Sequence, residues 1–225
     1  MKYKFSPSLM CMDLLHVEEQ IRKLNRHADY LHIDIMDGHY VKNFALSPAF
    51  VRQIRPIATL PLDVHLIMDH PEDYLQEALD AGADIITPLA EQLNPNVFGI
   101  ISAIHQQGRK AGVSLNPATP LEHILSYAHL LDKLTIMTIE PGFAGQPFLQ
   151  EMLSKIAQAK ELRDRYHFHY EIEIDGAGRQ NTFSKLYEAG AEVFVVGASG
   201  LFTLDYDIDV AWEQMMQGFR LAIGC

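Results

Sequence analysis

The chain has 225 residues, of which 48% are hydrophobic and 21% are charged, and its formal net charge is −11. These values are typical of a globular protein with a sizeable core. The negative charge argues against nucleic acid or an anionic membrane as a partner. The negative charge does not exclude a small anionic substrate, because backbone N–H groups can bind such a ligand locally.

The sequence also bears on location and redox state. No run approaches the roughly 18 apolar residues that span a bilayer, and the first residues do not resemble a signal peptide. We therefore expect a cytoplasmic protein without a membrane partner. The two cysteines, Cys11 and Cys225, are too few for a disulfide framework and are predicted to be free thiols.

Short apolar runs recur along the whole chain and predict eight strands. They lie at 3–9, 30–36, 62–68, 83–87, 111–115, 133–139, 170–175 and 192–197. Segments of helical periodicity lie between them, including 14–28, 71–83, 98–112 and 148–166. Glycines such as Gly82 and Gly190 stand where several of these helices would end.

A strand followed by a helix, repeated about eight times in so short a chain, predicts an α/β fold. We expect a single (β/α)8 TIM barrel that covers residues 1–225 as one domain. The alternative is an open doubly wound sheet. That fold would carry a GxGxxG turn after its first strand, and the sequence has none there.

Three predicted strands carry ionisable residues on one face, because alternate residues of a strand point the same way. The three sets are His32, Asp34 and Met36; Asp63, His65 and Ile67; and Glu171, Glu173 and Asp175. In a barrel these residues point inward, and those at the carboxyl ends of the strands face the active site. We therefore expect four of them to meet at one mouth: His32, Asp34, His65 and Asp175.

Two imidazoles and two carboxylates form a set that predicts a metal site. Such mixed ligands suit one Zn²⁺, Mn²⁺, Fe²⁺ or Co²⁺ ion, and suit Mg²⁺ less well. For either histidine alone, a structural role would be the better interpretation. The matching positions on three strands favour a site, because buried unpaired carboxylates would cost several kcal/mol each.

Three glycine-containing loops indicate a site for a phosphate group. The loop at 137–148 is long enough to move over a ligand. The turns at 175–180 and 196–202 follow the seventh and eighth predicted strands, where (β/α)8 barrels frequently bind phosphate. Glycines there allow the backbone to approach the phosphate closely.

Six motifs stand in the order found in a known family: SPSLMCMDLL, HIDIMDGHYV, DVHLIM, PGFAGQPF, EIDG and VGASGLF. Along nearly its full length the chain resembles the ribulose-phosphate 3-epimerase family. Three segments, SPSLMCMD, PGFAGQPF and the G-x-S-G-L-F ending, are most similar to its D-allulose-6-phosphate 3-epimerase branch.

The resemblance implies an isomerase that inverts C3 of a phosphorylated ketose through a metal-stabilised enediolate. D-Allulose 6-phosphate, converted to D-fructose 6-phosphate, is the expected substrate, and D-ribulose 5-phosphate, converted to D-xylulose 5-phosphate, is the alternative. A non-catalytic sugar-phosphate-binding barrel is a further possibility. A decarboxylase would need a catalytic lysine, and we expect none in the strands that build the site. The resemblance also implies a homo-oligomer.

The resemblance assigns roles position by position. The matches to metal ligands are His32, Asp34, His65 and Asp175, with Asp34 as proton acceptor and Asp175 as proton donor. The matches to substrate contacts are Ser8, His65, Gly142, Phe143, Ala144, Gly145, Gly176, Ala177, Ala198 and Ser199. Met36 and Met137 match two methionines that cap the reacting carbon.

The chain departs from the family at three positions. Ile67 stands where a third capping methionine is expected, Leu89 where the family has a histidine, and Ala177 where it has a glycine. We expect these departures to leave the chemistry intact and to reshape the substrate pocket. His39, just after the second predicted strand, could reach the site.

Overall fold

Eight parallel strands form a barrel in the computed structural model, which describes residues 3–93 and 95–224. The strands are β1 (Lys4–Pro7), β2 (Leu31–Met36), β3 (Leu62–Ile67), β4 (Ile85–Pro88), β5 (Lys110–Leu115), β6 (Lys133–Met137), β7 (Glu171–Asp175) and β8 (Val193–Val196). They pair in the order β1-β8-β7-β6-β5-β4-β3-β2. A bridge between Ser8 and His32 brings β1 to β2, so that the barrel is nearly closed.

The helices lie outside this barrel. They are α1 (Val17–Leu24), α2 (Pro48–Ile54), α3 (Glu72–Ala81), α4 (Val97–Gln106), α5 (Met152–Tyr166), α6 (Phe183–Ala189) and α7 (Ile208–Ile223). Gly82 and Gly190 end α3 and α6 with φ of 101° and 113°, a conformation that other residues rarely adopt. The predicted single (β/α)8 TIM barrel is confirmed. None of the described helices is long and apolar enough to cross a membrane.

One connection differs from the predicted alternation. Two short 3₁₀ turns, Leu121–Ile124 and Ala128–Leu130, join β5 to β6 where a helix was expected. Just before these turns, Lys155 of α5 donates hydrogen bonds of 2.7 to 2.8 Å to the carbonyl oxygens of Asn116, Pro117 and Thr119. A side chain therefore satisfies backbone groups that a helix would otherwise have satisfied.

The two faces of the strands have different compositions. Outward residues such as Ile33, Ile35, Val64 and Leu66 are buried in the apolar layer between strands and helices. Inward residues include fully buried ionisable groups, among them Asp63 and Glu173. The outer layer supplies the hydrophobic stabilisation, and the polar interior is therefore free to build a site.

The loops after β7 and β8 pack against each other through glycines. A Cβ atom on Gly200 would lie 2.2 Å from the carbonyl oxygen of Gly178. A Cβ on Gly178 would lie 2.3 Å from the carbonyl oxygen of Val195. Any larger residue would therefore force the two loops apart.

We expect Gly200→Ala to lower the free energy of unfolding by about 1–3 kcal/mol, because backbone would have to move. Gly218→Ala in α7 is the matched control. Its Cβ would meet only the side chain of Gln180, at 3.4 Å, and alanine favours a helix. The control should be neutral or stabilising. Chemical denaturation measures both variants, and equal effects would contradict the packing described.

Candidate active site

Four side chains from three strands meet at the carboxyl ends of the strands. His32 and Asp34 come from β2, His65 from β3 and Asp175 from the end of β7. One nitrogen or oxygen atom from each residue lies within 4.8 Å of the others, and all four residues are buried. The structure thus brings together the four residues that strand alternation predicted to meet.

The imidazole of His32 lies among carboxylates. Its Nε2 is 3.2 Å from Asp34 Oδ1 and 3.6 Å from Asp175 Oδ2. Its Nδ1 is 3.3 Å from Oδ2 of Asp63, which lies deeper in the barrel. The ring therefore connects the mouth of the barrel to its interior.

His65 is held in the same way but without hydrogen bonds. Its Nδ1 lies 3.3 Å from Asp34 Oδ1 and 3.5 Å from Asp175 Oδ2. Among the described residues neither of its ring nitrogens has a hydrogen-bond partner, although both are fully buried. Buried polar atoms rarely lack a partner. Two nitrogen donors and two carboxylates that converge in this way could hold a metal ion.

The electrostatics of the four groups are coupled. Burial disfavours charge on the imidazoles, but the carboxylates outweigh it. The pKa of His32 is raised well above its ordinary value, chiefly by Asp34. The pKa of His65 is raised to about 9 by Asp175 and Asp34. Burial likewise opposes the charges of Asp34 and Asp175, yet the two imidazoles lower the pKa of both carboxyl groups.

A second charged cluster lies beneath the first. Lys133 of β6 is 1% exposed, and its Nζ lies 2.7 Å from Asp63 Oδ2 and 2.7 Å from Glu173 Oε2. Burial opposes the charge of Asp63, but Lys133 lowers the pKa of this carboxyl group. Burial and the charge of Asp63 raise the pKa of Glu173 to about 7. The strands that carry the four site residues hold no lysine, but neighbouring β6 does, and Lys133 was not among the predicted residues.

A cleft that is open to solvent lies above the four residues and encloses about 430 Å³, part of which is bulk solvent. The predicted residues that line it are Ser8, Asp34, Met36, Met137, Gly142, Phe143, Ala144, Asp175 and Gly176. Five further lining residues were not predicted: Met10, Cys11, Ile139, Val195 and Gly197. Met10 and Cys11 lie in the 3₁₀ turn Leu9–Cys11 that follows β1, so their place after a strand was the available signal.

Several predicted substrate contacts lie beside the cleft and do not line it: His65, Gly145, Ala177, Ala198 and Ser199. His65 is fully buried below it. Ala177 is also buried, and its N–H donates a hydrogen bond of 3.1 Å to Thr138 Oγ1. Ala198 and Ser199 begin the short π-helix Ala198–Phe202, directly after the lining residue Gly197.

Contacts across the cleft involve both β1 and the long loop. Ser8 Oγ donates a hydrogen bond of 2.8 Å to Asp34 Oδ2, which fixes the carboxylate from the side of β1. In the loop after β2, Asn43 Nδ2 donates a hydrogen bond of 2.6 Å to the carbonyl oxygen of Gly142, which lies in the loop after β6. Phe143, next in this loop, is 55% exposed.

The departures from the family pattern lie next to the site. Ile67 lines the cleft. Leu89 is fully buried in one apolar cluster with Ile67, Met36 and Val41. The expectation that His39 could reach the site is wrong: its side chain is 78% exposed and lies beside Asp37. Cys225 lies outside the described residues.

Protons and metal should compete for the histidines. A metal binds neutral imidazole, whereas the protein's own carboxylates keep His65 protonated below about pH 9. We therefore expect metal affinity to rise between about pH 6 and 8, by about tenfold per pH unit for each proton displaced. Calorimetric titration at several pH values measures it. The exposed His39→Gln variant should match the wild type, and pH-independent affinity would contradict the assignment.

The sequence matches the model of the Ribulose-phosphate 3 epimerase family over residues 4–202. The ribulose-phosphate 3-epimerase of Bacillus subtilis (strain 168) is 39% identical over 198 residues, which cover 87% of this chain and 91% of that protein. The chloroplastic ribulose-5-phosphate-3-epimerase of Arabidopsis thaliana is 34% identical over 203 residues, which cover 89% and 72%.

Solved structures of other proteins share the fold. A 3-hexulose-6-phosphate synthase matches with a TM-score of 0.66 and 19% identity, over 98% of this chain and 99% of that chain. The tryptophan synthase A-subunit of Pyrococcus furiosus matches with a TM-score of 0.66 and 15% identity, over the whole of both chains. These similarities concern the barrel alone. The match of sequence along most of the chain is different in kind: the chain belongs to the ribulose-phosphate 3-epimerase family.

Proposed function

We propose that this carbohydrate-phosphate epimerase inverts C3 of a phosphorylated ketose, and that Asp34 and Asp175 transfer the proton. The observation that carries the proposal is the pair of buried carboxylates that share two imidazoles at the floor of the cleft. Ribulose-phosphate 3-epimerase activity is supported by the family match and by the names of the relatives.

The reaction needs two opposed carboxyl groups. Removing the proton from the carbon next to a ketone gives a planar enediolate, and returning a proton on the other face inverts the centre. Asp34 lies on β2 and Asp175 at the end of β7, and both line the cleft. We infer that a carbon bound between them would have one carboxyl group on each side. Asp34 takes the proton and Asp175 returns one. In each turnover one group is ionised and the other protonated, and their titration belongs to the pair.

Four residues would hold a metal: His32, Asp34, His65 and Asp175. The ion would polarise the ketone and hydroxyl oxygens of the substrate and stabilise the negative charge that develops there. The mixed nitrogen and oxygen donors favour Zn²⁺, Mn²⁺, Fe²⁺ or Co²⁺ over Mg²⁺. Ser8 holds the Asp34 carboxylate in position by its hydrogen bond.

The remaining predicted residues would bind and enclose the sugar phosphate. Gly176 lines the cleft after β7, and Ala198 and Ser199 start the turn after β8. Backbone N–H groups of these turns would bind the phosphate. Ala177, whose own N–H is bonded to Thr138, would hold the turn after β7 in position. Residues Gly142 to Gly145 would cover the substrate, and Met36 and Met137 would exclude water from the reacting carbon.

We propose D-allulose 6-phosphate as the preferred substrate. The motifs SPSLMCMD, PGFAGQPF and G-x-S-G-L-F support it. Ile67 lines the cleft and is shorter than the methionine expected at its position, and we infer that the difference would make room for a sixth carbon. D-Ribulose 5-phosphate is the second candidate, because both relatives described above are named as epimerases of ribulose phosphate, and the name of the Arabidopsis thaliana protein specifies the 5-phosphate.

A non-catalytic sugar-phosphate-binding barrel remains the alternative from a different class. A binder would have no use for two carboxyl groups beside the reacting carbon. A homo-oligomeric assembly, expected by resemblance, and a cytoplasmic location stay predictions, which sedimentation and cell fractionation would test.

We expect Asp34→Asn and Asp175→Asn each to lower kcat by about 10³-fold or more, because each removes one of the two groups that transfer the proton. Both variants should keep the circular dichroism of the wild type. Asp37→Asn is the matched control. Asp37 lies three residues beyond Asp34, and its carboxylate accepts a hydrogen bond from the backbone N–H of His39 and takes no part in the proposed reaction. Near-wild-type turnover in either site variant would exclude the two-aspartate mechanism.

We expect kcat/KM to be roughly tenfold or more higher for D-allulose 6-phosphate than for D-ribulose 5-phosphate, a ratio typical of one carbon in a fitted pocket. Ile67→Met should reduce this ratio, because the longer side chain occupies part of the cleft. Steady-state assays with both sugars measure it. A preference for D-ribulose 5-phosphate would overturn the substrate assignment and leave the reaction type intact.

A further inference from the structure

Lys133 lies inside the barrel beneath the candidate site, and the proposed reaction does not use it. Its Nζ is 2.7 Å from Asp63 Oδ2 and 2.7 Å from Glu173 Oε2. The ring of Tyr30 lies against the ammonium group, at 4.4 Å from Nζ to the ring centroid. Lysine is almost never buried to this extent without a partner, and here it has two.

The two carboxylates that hold Lys133 have further partners. Thr87 donates a hydrogen bond of 3.3 Å to Asp63 Oδ1. Thr135 donates one of 2.8 Å to Glu173 Oε1. Each carboxylate thus presents one oxygen to a threonine and the other to the ammonium group, so that the pair has a defined orientation.

His32 is shared between this lower cluster and the site above it. Its Nδ1 lies 3.3 Å from Asp63 Oδ2 and 3.9 Å from Glu173 Oε1, and its Nε2 faces Asp34 and Asp175. One donor atom each from His32, Asp63 and Glu173 also lie within 4.8 Å of one another. The barrel therefore contains two overlapping sets of cation ligands. The upper set is His32, Asp34, His65 and Asp175, and the lower set is His32, Asp63 and Glu173. The imidazole of His32 belongs to both.

We propose that Lys133 is a tethered cation that occupies the lower set and thereby assigns His32 to the upper set. The inference rests on the metal site of the proposed function. The ammonium group offsets the negative charge of Asp63 and Glu173, a pair that would otherwise attract a divalent ion of its own. No divalent ion can share the position that Nζ fills between the two carboxylates.

The same contact fixes the proton on His32. A carboxylate paired with an ammonium group can only accept hydrogen bonds, so Nδ1 of His32 carries the hydrogen that points at Asp63. When the ring is neutral, as metal binding requires, Nε2 is then the nitrogen whose lone pair is directed at the upper set. Asp63 and Lys133 are therefore positioning residues: neither touches the substrate, and both act through His32.

A merely structural ion pair predicts something else. Breaking it would lower stability but would change neither the number of metal ions bound nor the affinity of the upper set. Metal stoichiometry and the absorption spectrum of bound Co²⁺ are therefore the readouts that separate the two roles.

The experiment compares the full-length wild type with Lys133→Met, Asp63→Asn and Lys4→Met, each titrated with Co²⁺. We expect one ion per chain in the wild type and two in Lys133→Met, because the lower set then lacks its cation. Asp63→Asn should keep one ion, bind it about 10–100-fold more weakly and show a changed Co²⁺ spectrum. Lys4→Met is the matched control. It breaks an ion pair with Glu171 at the opposite end of the barrel and should behave as the wild type does.

The outcomes are distinguishable. A wild type that binds no Co²⁺ would overturn the metal site itself, and with it this inference. A wild type that binds one ion, with unchanged stoichiometry in folded Lys133→Met, would overturn the role of Lys133. If Lys133→Met does not fold, Asp63→Asn decides, since Lys133 keeps Glu173 as a partner there. Unchanged affinity in that variant would overturn the proposal.

Discussion

The imidazole of His32 lies between two pairs of buried carboxylates, and the interior of the barrel is organised around that contact. Asp34 and Asp175 lie on its Nε2 side, and Asp63 lies on its Nδ1 side. Four carboxylates buried inside one barrel would repel one another strongly, so each pair needs positive charge. Lys133 supplies it below. For Asp34 and Asp175, the positive charge comes from the two imidazoles alone or from a divalent metal that they help to bind.

The fold can accommodate these buried charges because the two faces of its strands have different roles. Outward residues of the strands, such as Ile33 and Leu66, join the apolar layer beneath the helices and stabilise the barrel. Inward residues therefore do not have to be apolar for the barrel to be stable. Adjacent strands in register bring Asp34 beside His65, and the end of β7 brings Asp175 to the same level. The cleft and the polar interior therefore both follow from the alternation of inward and outward side chains along each strand.

Alternation along single strands was enough to predict the barrel and the convergence of His32, Asp34, His65 and Asp175. Alternation could not predict how far below the mouth of the barrel each inward residue lies, because that distance depends on how the strands are staggered around the barrel. Asp63 and Glu173 share a face with the site residues yet belong to the layer below. Lys133 was missed although Thr135 and Met137 share its face. Its partners are on other strands, and only their pairing makes a buried lysine stable.

Loops were harder to predict than strands. The turn Leu9–Cys11 places Met10 and Cys11 in the cleft, whereas His39, equally close to a strand end, is exposed. Sequence spacing does not distinguish these cases, because a loop's direction depends on contacts made elsewhere, such as the bond from Asn43 to Gly142. The connection from β5 to β6 shows the same effect, since Lys155 of a distant helix holds its backbone.

The central claim is that two aspartates on opposite sides of one carbon exchange its proton. Turnover in D₂O, followed by proton NMR at C3, tests this most directly. The returning hydrogen comes from a carboxyl group that exchanges with solvent, so the account predicts product that carries deuterium at C3. Product that keeps its original hydrogen at C3 would contradict it.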